Sequence, residues 1–271
     1  MALKPDLYYE EHFVAFIDFL GFAAAIDSAD EEARTKLLTL LIGLAEAQSE
    51  FMVETKATPE GVATEVAPNI TTFSDNIVIS YPLEKLRDKG YFDDIRTPII
   101  LLDGLSNLLS WLAIAALRIG FLIRGGATIG KLFHSRGVVY GEGMVEAYRI
   151  ESQISVYPRI VLSDKLLARP NWKASPRILT DEDGLKHIDY FKTLFLGSVV
   201  APDGHIPSPK ELYETSCAVI RRELNLVETG NHQRAYAKWV WFIHQIEKSL
   251  GRINPSIRRQ YELSPHKLPQ V

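Results

Sequence analysis

Residues 12–22 read HFVAFIDFLGF, an apolar run that ends at an aspartate. Five apolar residues, from Phe13 to Ile17, lead straight into Asp18. An uninterrupted apolar run of this length predicts a central strand that is buried on both faces. A carboxylate on such a strand is costly unless a cation or several hydrogen-bond donors contact it. We therefore expect Asp18 to have a partner or a ligand.

A second aspartate follows in residues 69–81, which read NITTFSDNIVISY. Ser74, Asp75 and Asn76 separate two apolar-rich runs, and these residue types favour a tight hairpin turn. Asp75 would face Asp18 if this hairpin lay beside the first strand. Two close carboxylates repel each other, and a pair of divalent cations offsets that repulsion. Taken singly, each aspartate could serve a helix cap or the turn, but together they predict a metal site.

The composition of the 271-residue chain is that of a soluble globular protein, with 46% hydrophobic and 24% charged residues. A formal net charge of -4 argues against binding of nucleic acid through bulk charge. Cys217 is the only cysteine, which excludes an intramolecular disulfide and a cysteine-rich zinc site. The first twelve residues lack the apolar core of a secretory signal, so we expect a cytoplasmic protein.

Residues 99–117 have roughly the length of a membrane-spanning helix. A polar stripe at helical spacing predicts instead a helix packed across a sheet, and we expect no membrane partner. The stripe consists of Asp103, Ser106, Asn107 and Ser110.

The rest of the sequence alternates between predicted helices and strands. A helix is expected to run to about residue 51, and another should begin at about Glu142, after glycines that separate two strands. Two C-terminal helices are expected at residues 209–226 and 232–250. From Asn254 the chain is rich in proline and arginine, which predicts a loosely ordered tail.

This order of elements resembles the catalytic domain of class III nucleotidyl cyclases, over about residues 10 to 165. The metal motif of that family, an apolar strand ending in Asp-x-x-Gly-Phe, matches Asp18 to Phe22, and its hairpin aspartate matches Asp75. Its Arg-x-Gly-x-x-x-Gly strand matches Arg124, Gly126 and Gly130. Its Gly-x-x-Val-Asn-x-Ala-x-Arg-x-Glu-Ser helix aligns without gaps on residues 141–152 and keeps Gly141, Ala147, Arg149, Glu151 and Ser152.

The resemblance implies an α+β fold: a ferredoxin-like class III nucleotidyl cyclase domain with helices on one side of the sheet and a C-terminal helical extension. Residues 1–170 would form the catalytic core, and residues 171–271 would add strands and helices that complete the same domain. The resemblance also implies a homodimer with two shared active sites, in which one chain supplies the metals and the other the arginine.

Three positions depart from the adenylate cyclases of this family. Thr71 and Val138 fall where those enzymes carry the lysine and aspartate that read the purine, and Val145 falls on the asparagine that orients the ribose. An enzyme without the polar groups that match the edge of a purine loses most of its discrimination in favour of purine nucleotides. The combination is most similar to the bacterial pyrimidine cyclases of the Pycsar antiphage systems, which make cyclic UMP or cyclic CMP. UTP is the favoured substrate; CTP, a purine nucleotide and a non-catalytic nucleotide-binding dimer remain alternatives.

The chemistry that the resemblance implies is intramolecular phosphoryl transfer. Asp18 and Asp75, with the backbone of Phe19, would hold two divalent cations, either Mn²⁺ or Mg²⁺. Arg149 would offset charge on the α-phosphoryl group.

The phosphates would lie on the backbone amides of Leu20, Gly21 and Phe22, because a helix opening after a strand is a favourable anion site. Arg124 is a further candidate for the phosphates. Cations on the C-terminal helices could also reach a triphosphate, although most such side chains are solvated: Arg221, Arg222 and Lys238.

Overall fold

The computed structural model describes residues 9–22, 31–46, 53–54, 65–84, 96–196, 207–230 and 232–271. These residues form a mostly antiparallel eight-stranded sheet, a separate two-stranded sheet and seven α-helices, so the fold is α+β. The strands and helices follow one another in this order: β1 (Glu10–Leu20), α1 (Glu31–Glu46), β2 (Val53–Glu54), β3 (Glu65–Val66), β4 (Asn69–Phe73), β5 (Asn76–Pro82), α2 (Arg96–Arg118), β6 (Leu122–Ser135), β7 (Val138–Tyr140), α3 (Glu142–Gln153), β8 (Ile160–Leu162), α4 (Asp164–Leu167), β9 (Ile178–Thr180), β10 (Lys186–Ile188), α5 (Pro209–Thr229), α6 (Gln233–Arg252) and α7 (Pro255–Gln260).

The large sheet has the strand order β4-β5-β1-β6-β8-β10-β9, and β7 pairs with the end of β6. Strand β1 runs antiparallel to both of its neighbours, β5 and β6. Strand β4 is in turn antiparallel to β5, whereas β8 is parallel to β6. The apolar run before Asp18 is therefore a central strand, as predicted.

Alternate side chains of β1 contact different layers of the protein, because successive residues of a strand face opposite sides of the sheet. Phe13 and Ile17 belong to the main hydrophobic core, which also includes residues of α1, α2, α5 and α6. Val14 and Phe16 belong to a smaller cluster with Ala147 of α3. Asp18 continues the second series, and its side chain therefore lies on the α3 side of the sheet.

Helix α3 lies very close to β6 because the strand carries glycines beneath it. A Cβ atom at Gly126 would collide with the carbonyl oxygen of Ala147 and with Ile150, and one at Gly130 would lie 2.8 Å from the Cα of Gly143. The glycines of the Arg-x-Gly-x-x-x-Gly motif thus permit this packing. The sheet consequently has helices on both faces, and the expectation of helices on one side is wrong.

Helix α2 is long and apolar enough to cross a membrane, but 61% of its most apolar 18-residue window is buried inside the protein. Its polar stripe is used internally: Ser106 donates to the carbonyl of Asp189, and Ser110 donates to the carbonyl of Tyr190. Helix α2 is therefore a core helix of a protein that looks soluble, as the stripe predicted.

The C-terminal part of the chain packs on the same core. Helix α5 begins at a capping box, in which Ser208 Oγ accepts from the amide of Glu211 and the Glu211 carboxylate accepts from the amide of Ser208. The expectation of a loosely ordered tail is wrong, because Leu263 and Leu268 are buried in the main core.

The first predicted helix is described to Glu46, and its expected end near residue 51 lies outside the described residues.

Candidate active site

Asp75 lies at the tip of the β4–β5 hairpin, in a turn of two residues. Phe73 and Asn76 pair across the turn, and Ser74 adopts a left-handed backbone conformation with a φ of 55°. The amide of Phe19 donates a 3.2 Å hydrogen bond to the carbonyl of Asp75, which ties the tip of the hairpin to β1. The hairpin therefore lies beside the first strand, which was the condition for the two aspartates to meet.

Asp18 sits between the hairpin and β6, since its cross-strand partners are Asn76 and Arg124. Burial raises the pKa of the Asp18 carboxyl group above its ordinary value. The charge of Asp75 adds to that rise and Arg124 opposes it, so the carboxyl groups of Asp18 and Asp75 are close enough to interact. The structure thus brings Asp18 and Asp75 together.

Arg124 forms ion pairs with two carboxylates of its own chain. Its Nε donates a 2.9 Å hydrogen bond to Oδ2 of Asp18, and its Nη2 lies 2.7 Å from Oε1 of Glu151 on α3. The second contact is an ion pair by distance, but it lacks the alignment of a hydrogen bond. A role of Arg124 in phosphate binding stays a prediction; its observed role is that of an internal counter-ion.

Glu151 is the site residue that the sequence did not single out. Its side chain is 4% exposed, and burial raises its pKa to about 7, with Asp18 and Asp75 adding to the rise and Arg124 opposing it. The only available signal was its place in the helix motif, on the side of α3 that faces the sheet. It adds a third carboxyl group to the site.

The site carries more carboxyl groups than cations of its own, a donor set that suits divalent metal ions. Arg124 pairs with Asp18 and Glu151, and the charge of Asp75 raises the pKa of both of these carboxyl groups. Among the described residues, no three His, Cys, Asp or Glu side chains form a ready-made metal site. A Mg²⁺ ion needs fewer, since it is usually held by one or two carboxylates together with water and substrate phosphates. Two aspartates are therefore enough for such an ion, and the backbone of Phe19 as a further ligand stays a prediction.

The expected phosphate cradle follows directly after β1. Leu20 is half-buried, Gly21 is exposed with a φ of 97°, and Phe22 is half-buried. A φ of this size favours glycine and leaves the turn without a side chain at that point. The chain beyond Phe22 lies outside the described residues until Glu31, so the amides that would bind phosphate stay a prediction.

The two predicted base-contacting residues lie on β4 and β7. The Thr71 hydroxyl is 2.9 Å from Nε2 of His134, and His134 is the cross-strand neighbour of Val139, next to the exposed Val138. The other ring nitrogen of His134 lies 2.9 Å from the hydroxyl of Ser80. His134 thus fixes the position of the Thr71 hydroxyl.

Burial lowers the pKa of His134 from 6.5 to about 4. The imidazole is therefore neutral at physiological pH, with one nitrogen donating and the other accepting. The chain of hydrogen bonds continues from Ser80 to His12, which is 3.1 Å away. A buried network of this kind fixes hydroxyl orientations on the face of the sheet that also carries Asp18.

Arg149 is exposed on α3 and points away from the carboxylates of its own chain. It lies two residues before Glu151, and residues two apart on a helix do not face the same side. No carboxylate in the described ranges forms an ion pair with it. Within one chain, the structure therefore does not bring Arg149 to Asp18 and Asp75.

Exposed apolar side chains lie beside Arg149 on α3 and on the neighbouring hairpin and β7. Tyr148 and Phe73 flank the ring of Phe16, at centroid distances of 5.4 and 6.1 Å, so the exposed groups are continuous with the small cluster beneath them. We call this region the α3 surface, and its large exposed side chains are Phe73, Val138, Tyr140, Val145 and Tyr148.

No protein-family model matches this sequence, and no curated protein matches it.

Proposed function

We propose that this chain is a class III nucleotidyl cyclase that converts UTP into 3′,5′-cyclic UMP and pyrophosphate. The observation that carries the proposal is the side-by-side arrangement of Asp18 and Asp75 at the end of a buried central strand. The strand order β4-β5-β1-β6, with α1 and α2 as the connections, supports it because this is the order of a ferredoxin-like βαββαβ unit.

The proposed reaction is a displacement within one nucleotide. The 3′-oxygen of the ribose forms a bond to the α-phosphorus, the bond from that phosphorus to the bridging oxygen breaks, and pyrophosphate leaves with the electron pair. The 3′-hydroxyl loses its proton as the new bond forms. Two divalent cations, Mn²⁺ or Mg²⁺, would lower the pKa of that hydroxyl and offset charge on the leaving group.

Asp18 and Asp75 would hold these cations, together with the backbone of Phe19. Arg124 keeps the Asp18 carboxylate in place by its 2.9 Å hydrogen bond, so a ligand oxygen is oriented before substrate binds. The turn at Gly21 would let the triphosphate approach the backbone closely. The chain thus supplies both metal ligands and an orienting cation without help from a second chain.

The arginine of the site would come from a second copy of the chain. Arg149 points away from its own carboxylates and lies within the α3 surface, whose apolar groups favour burial against a partner. A symmetric pair through this surface would give two equivalent sites, each with Asp18 and Asp75 from one chain and Arg149 from the other. The guanidinium would offset charge that develops on the α-phosphoryl group.

The choice of a pyrimidine rests on Thr71 and Val138. A hydroxyl held by His134 can exchange a hydrogen bond with a pyrimidine edge, whereas the apolar Val138 cannot satisfy the polar edge of a purine. Following the resemblance to the Pycsar cyclases, cyclic UMP would act as a second messenger for antiphage defence, made in the cytoplasm and read by a separate effector.

The test is to incubate the purified protein with each of the four ribonucleoside triphosphates and Mn²⁺, and to identify the products by mass spectrometry. We expect cyclic UMP from UTP, and no product from the Asp75→Asn variant. Cyclic CMP as the main product would change the assigned base from uracil to cytosine and leave the rest of the proposal intact. Efficient formation of cyclic AMP or cyclic GMP would overturn the pyrimidine assignment, and no cyclic product from any nucleotide would favour a non-catalytic nucleotide-binding dimer.

A further inference from the structure

A large cleft opens beside the turn that follows β1. Its volume is about 1310 Å³, and it lies between Leu20 and Gly21 on one side and the C-terminal helices α5 and α6 on the other. The connection from α2 to β6 forms a third wall, and Trp239 of α6 contributes apolar surface. We call this the basic cleft, because of the charges that line it.

The charges of the basic cleft do not cancel. Among the described lining residues, two are acidic and both are already paired: Glu32 lies 2.5 Å from Lys36, and Glu223 lies 2.6 Å from Arg222. Three further cations line the same cleft, and no described carboxylate forms an ion pair with any of them within the ranges that the structure covers. These cations are Arg118, Arg234 and Lys238.

Lys238 connects the basic cleft to the carboxylate site. It is half-buried on α6, one turn after Arg234, so the two cations lie on the same side of the helix. Burial lowers the pKa of its ammonium group; Arg124 lowers it further, whereas Asp18 opposes the shift. Lys238 is therefore close enough to Asp18 and Arg124 to interact with both charges.

We propose that the basic cleft binds the β- and γ-phosphates of the nucleotide, and the pyrophosphate after the transfer, through Arg118, Arg234 and Lys238. This inference rests on the proposed function, since it places the triphosphate next to Asp18. A half-buried ammonium that finds no ion-pair partner among the described residues is costly, and a polyphosphate would supply negative charge. The C-terminal helices would thereby be part of the active site.

The position of the cleft also fits the side on which the leaving pyrophosphate would lie. Leu20 and Gly21 line it, and they follow Asp18 directly in the chain, so an α-phosphate beside Asp18 would have its β- and γ-phosphates on the cleft side. The other two C-terminal cations predicted as candidates, Arg221 and Arg222, already have partners. Arg221 donates to the carbonyl of Lys267, and Arg222 is paired with Glu223.

The decisive experiment is a titration of the protein with inorganic pyrophosphate in the presence of Mg²⁺, followed by calorimetry. We expect Lys238→Gln and Arg234→Gln each to bind pyrophosphate about tenfold more weakly than the wild type, because each removes one charged contact. Lys238→Arg should restore most of the affinity. Glutamine keeps most of the side-chain stem, and melting temperatures would verify that the variants fold.

The matched control is Lys248→Gln, which removes a lysine from the same helix. Lys248 lies outside the cleft and pairs with Glu182, so its loss should leave pyrophosphate affinity unchanged. The inference is overturned if both cleft variants bind pyrophosphate like the wild type. It is equally overturned if Lys248→Gln weakens binding as much as Lys238→Gln, because bulk charge would then account for the effect.

Turnover provides a second and separate readout. The cleft contacts would exist both before and during the transfer, so we expect the KM for the nucleotide to rise about tenfold in Lys238→Gln with a smaller change in kcat. A wild-type protein that makes no cyclic nucleotide would contradict the proposed function. The pyrophosphate titration needs no turnover, and it would still decide whether the cleft binds polyphosphate.

Discussion

Arg124 and Asp18 face each other across the β1–β6 pair, and Nε of the arginine lies 2.9 Å from Oδ2 of the aspartate. The same guanidinium reaches Glu151 on α3, so one cation joins two strands and a helix around the carboxylates. A cation that is engaged in this way stabilises the cluster of carboxyl groups. It also leaves the charge of the transferred phosphoryl group to be offset by another residue, which we propose is Arg149.

Replacing Arg124 and Arg149 in turn should separate these two roles. Arg124→Met leaves buried carboxyl groups without a counter-ion, and we expect it to lower the free energy of unfolding by about 1–3 kcal/mol. Arg149→Met removes an exposed side chain, so the free energy of unfolding should change by less than about 0.5 kcal/mol while turnover is lost. Urea denaturation and a cyclase assay on both variants would measure this. Equal destabilisation by both would contradict the distinction.

Asp75→Asn should abolish turnover without weakening the fold. The carboxyl group of Asp75 contributes to the raised pKa of Asp18, so its removal relieves repulsion in the site. We expect a melting temperature equal to or above that of the wild type, and a loss of kcat of at least about 100-fold because a metal ligand is missing. Asp164→Asn, which alters an exposed aspartate on α4, is the control. Retention of near wild-type activity by Asp75→Asn would refute the metal assignment.

Mixing two inactive chains tests whether the site is shared. In a heterodimer of Asp18→Asn and Arg149→Ala chains, one of the two sites keeps both residues. Random exchange makes half of the dimers heterodimers, so activity should return to about a quarter of the wild-type value. Differently tagged chains would verify the exchange. If tagged heterodimers form and remain inactive, Arg149 does not act across the interface.

The pH dependence of stability should report the buried state of His134. The unfolded histidine takes up a proton as the pH falls through 6.5, whereas the folded one stays neutral until about pH 4. The contribution of His134 to the free energy of unfolding is therefore complete above pH 6.5 and declines as the pH falls towards 4. At pH 5 it has declined by about 2 kcal/mol. Denaturation of the wild type and of His134→Asn at several pH values would isolate the contribution of His134, since all other groups titrate in both proteins. Parallel curves would show that His134 is not the cause.

The course of β1 and of the Asp75 hairpin could be predicted because both depend on local features of the sequence. An apolar run without a break specifies a strand covered on both faces, and Ser-Asp-Asn specifies a turn. The pairing of these two elements then brings the aspartates together. The order of the strands in the sheet is not contained in these local patterns.

The rest of the site depends on distances between elements that are remote in the chain. Glu151 is buried because Gly126 lets α3 lie directly on β6, and nothing near Glu151 in the sequence records that approach. Lys238 comes close to Asp18 because α6 and the turn after β1 line the same cleft. In the tail, Leu263 and Leu268 outweigh the effect of proline and arginine, since two buried leucines anchor the chain.

Thr71 should decide how the base is read, because its hydroxyl is held 2.9 Å from the neutral ring of His134. Thr71→Val keeps the shape of the side chain and removes the hydroxyl, whereas Thr71→Ser keeps the hydroxyl and removes a methyl group. We expect Thr71→Val to lower kcat/KM for the preferred pyrimidine nucleotide by about 5- to 100-fold, the cost of one lost hydrogen bond, and to affect its competitor less. Thr71→Ser should retain the preference. Competition between UTP and CTP in one reaction, with both cyclic products quantified, measures the ratio of their kcat/KM values directly. An unchanged product ratio in Thr71→Val would remove Thr71 from the base site and leave its hydroxyl a structural partner of His134.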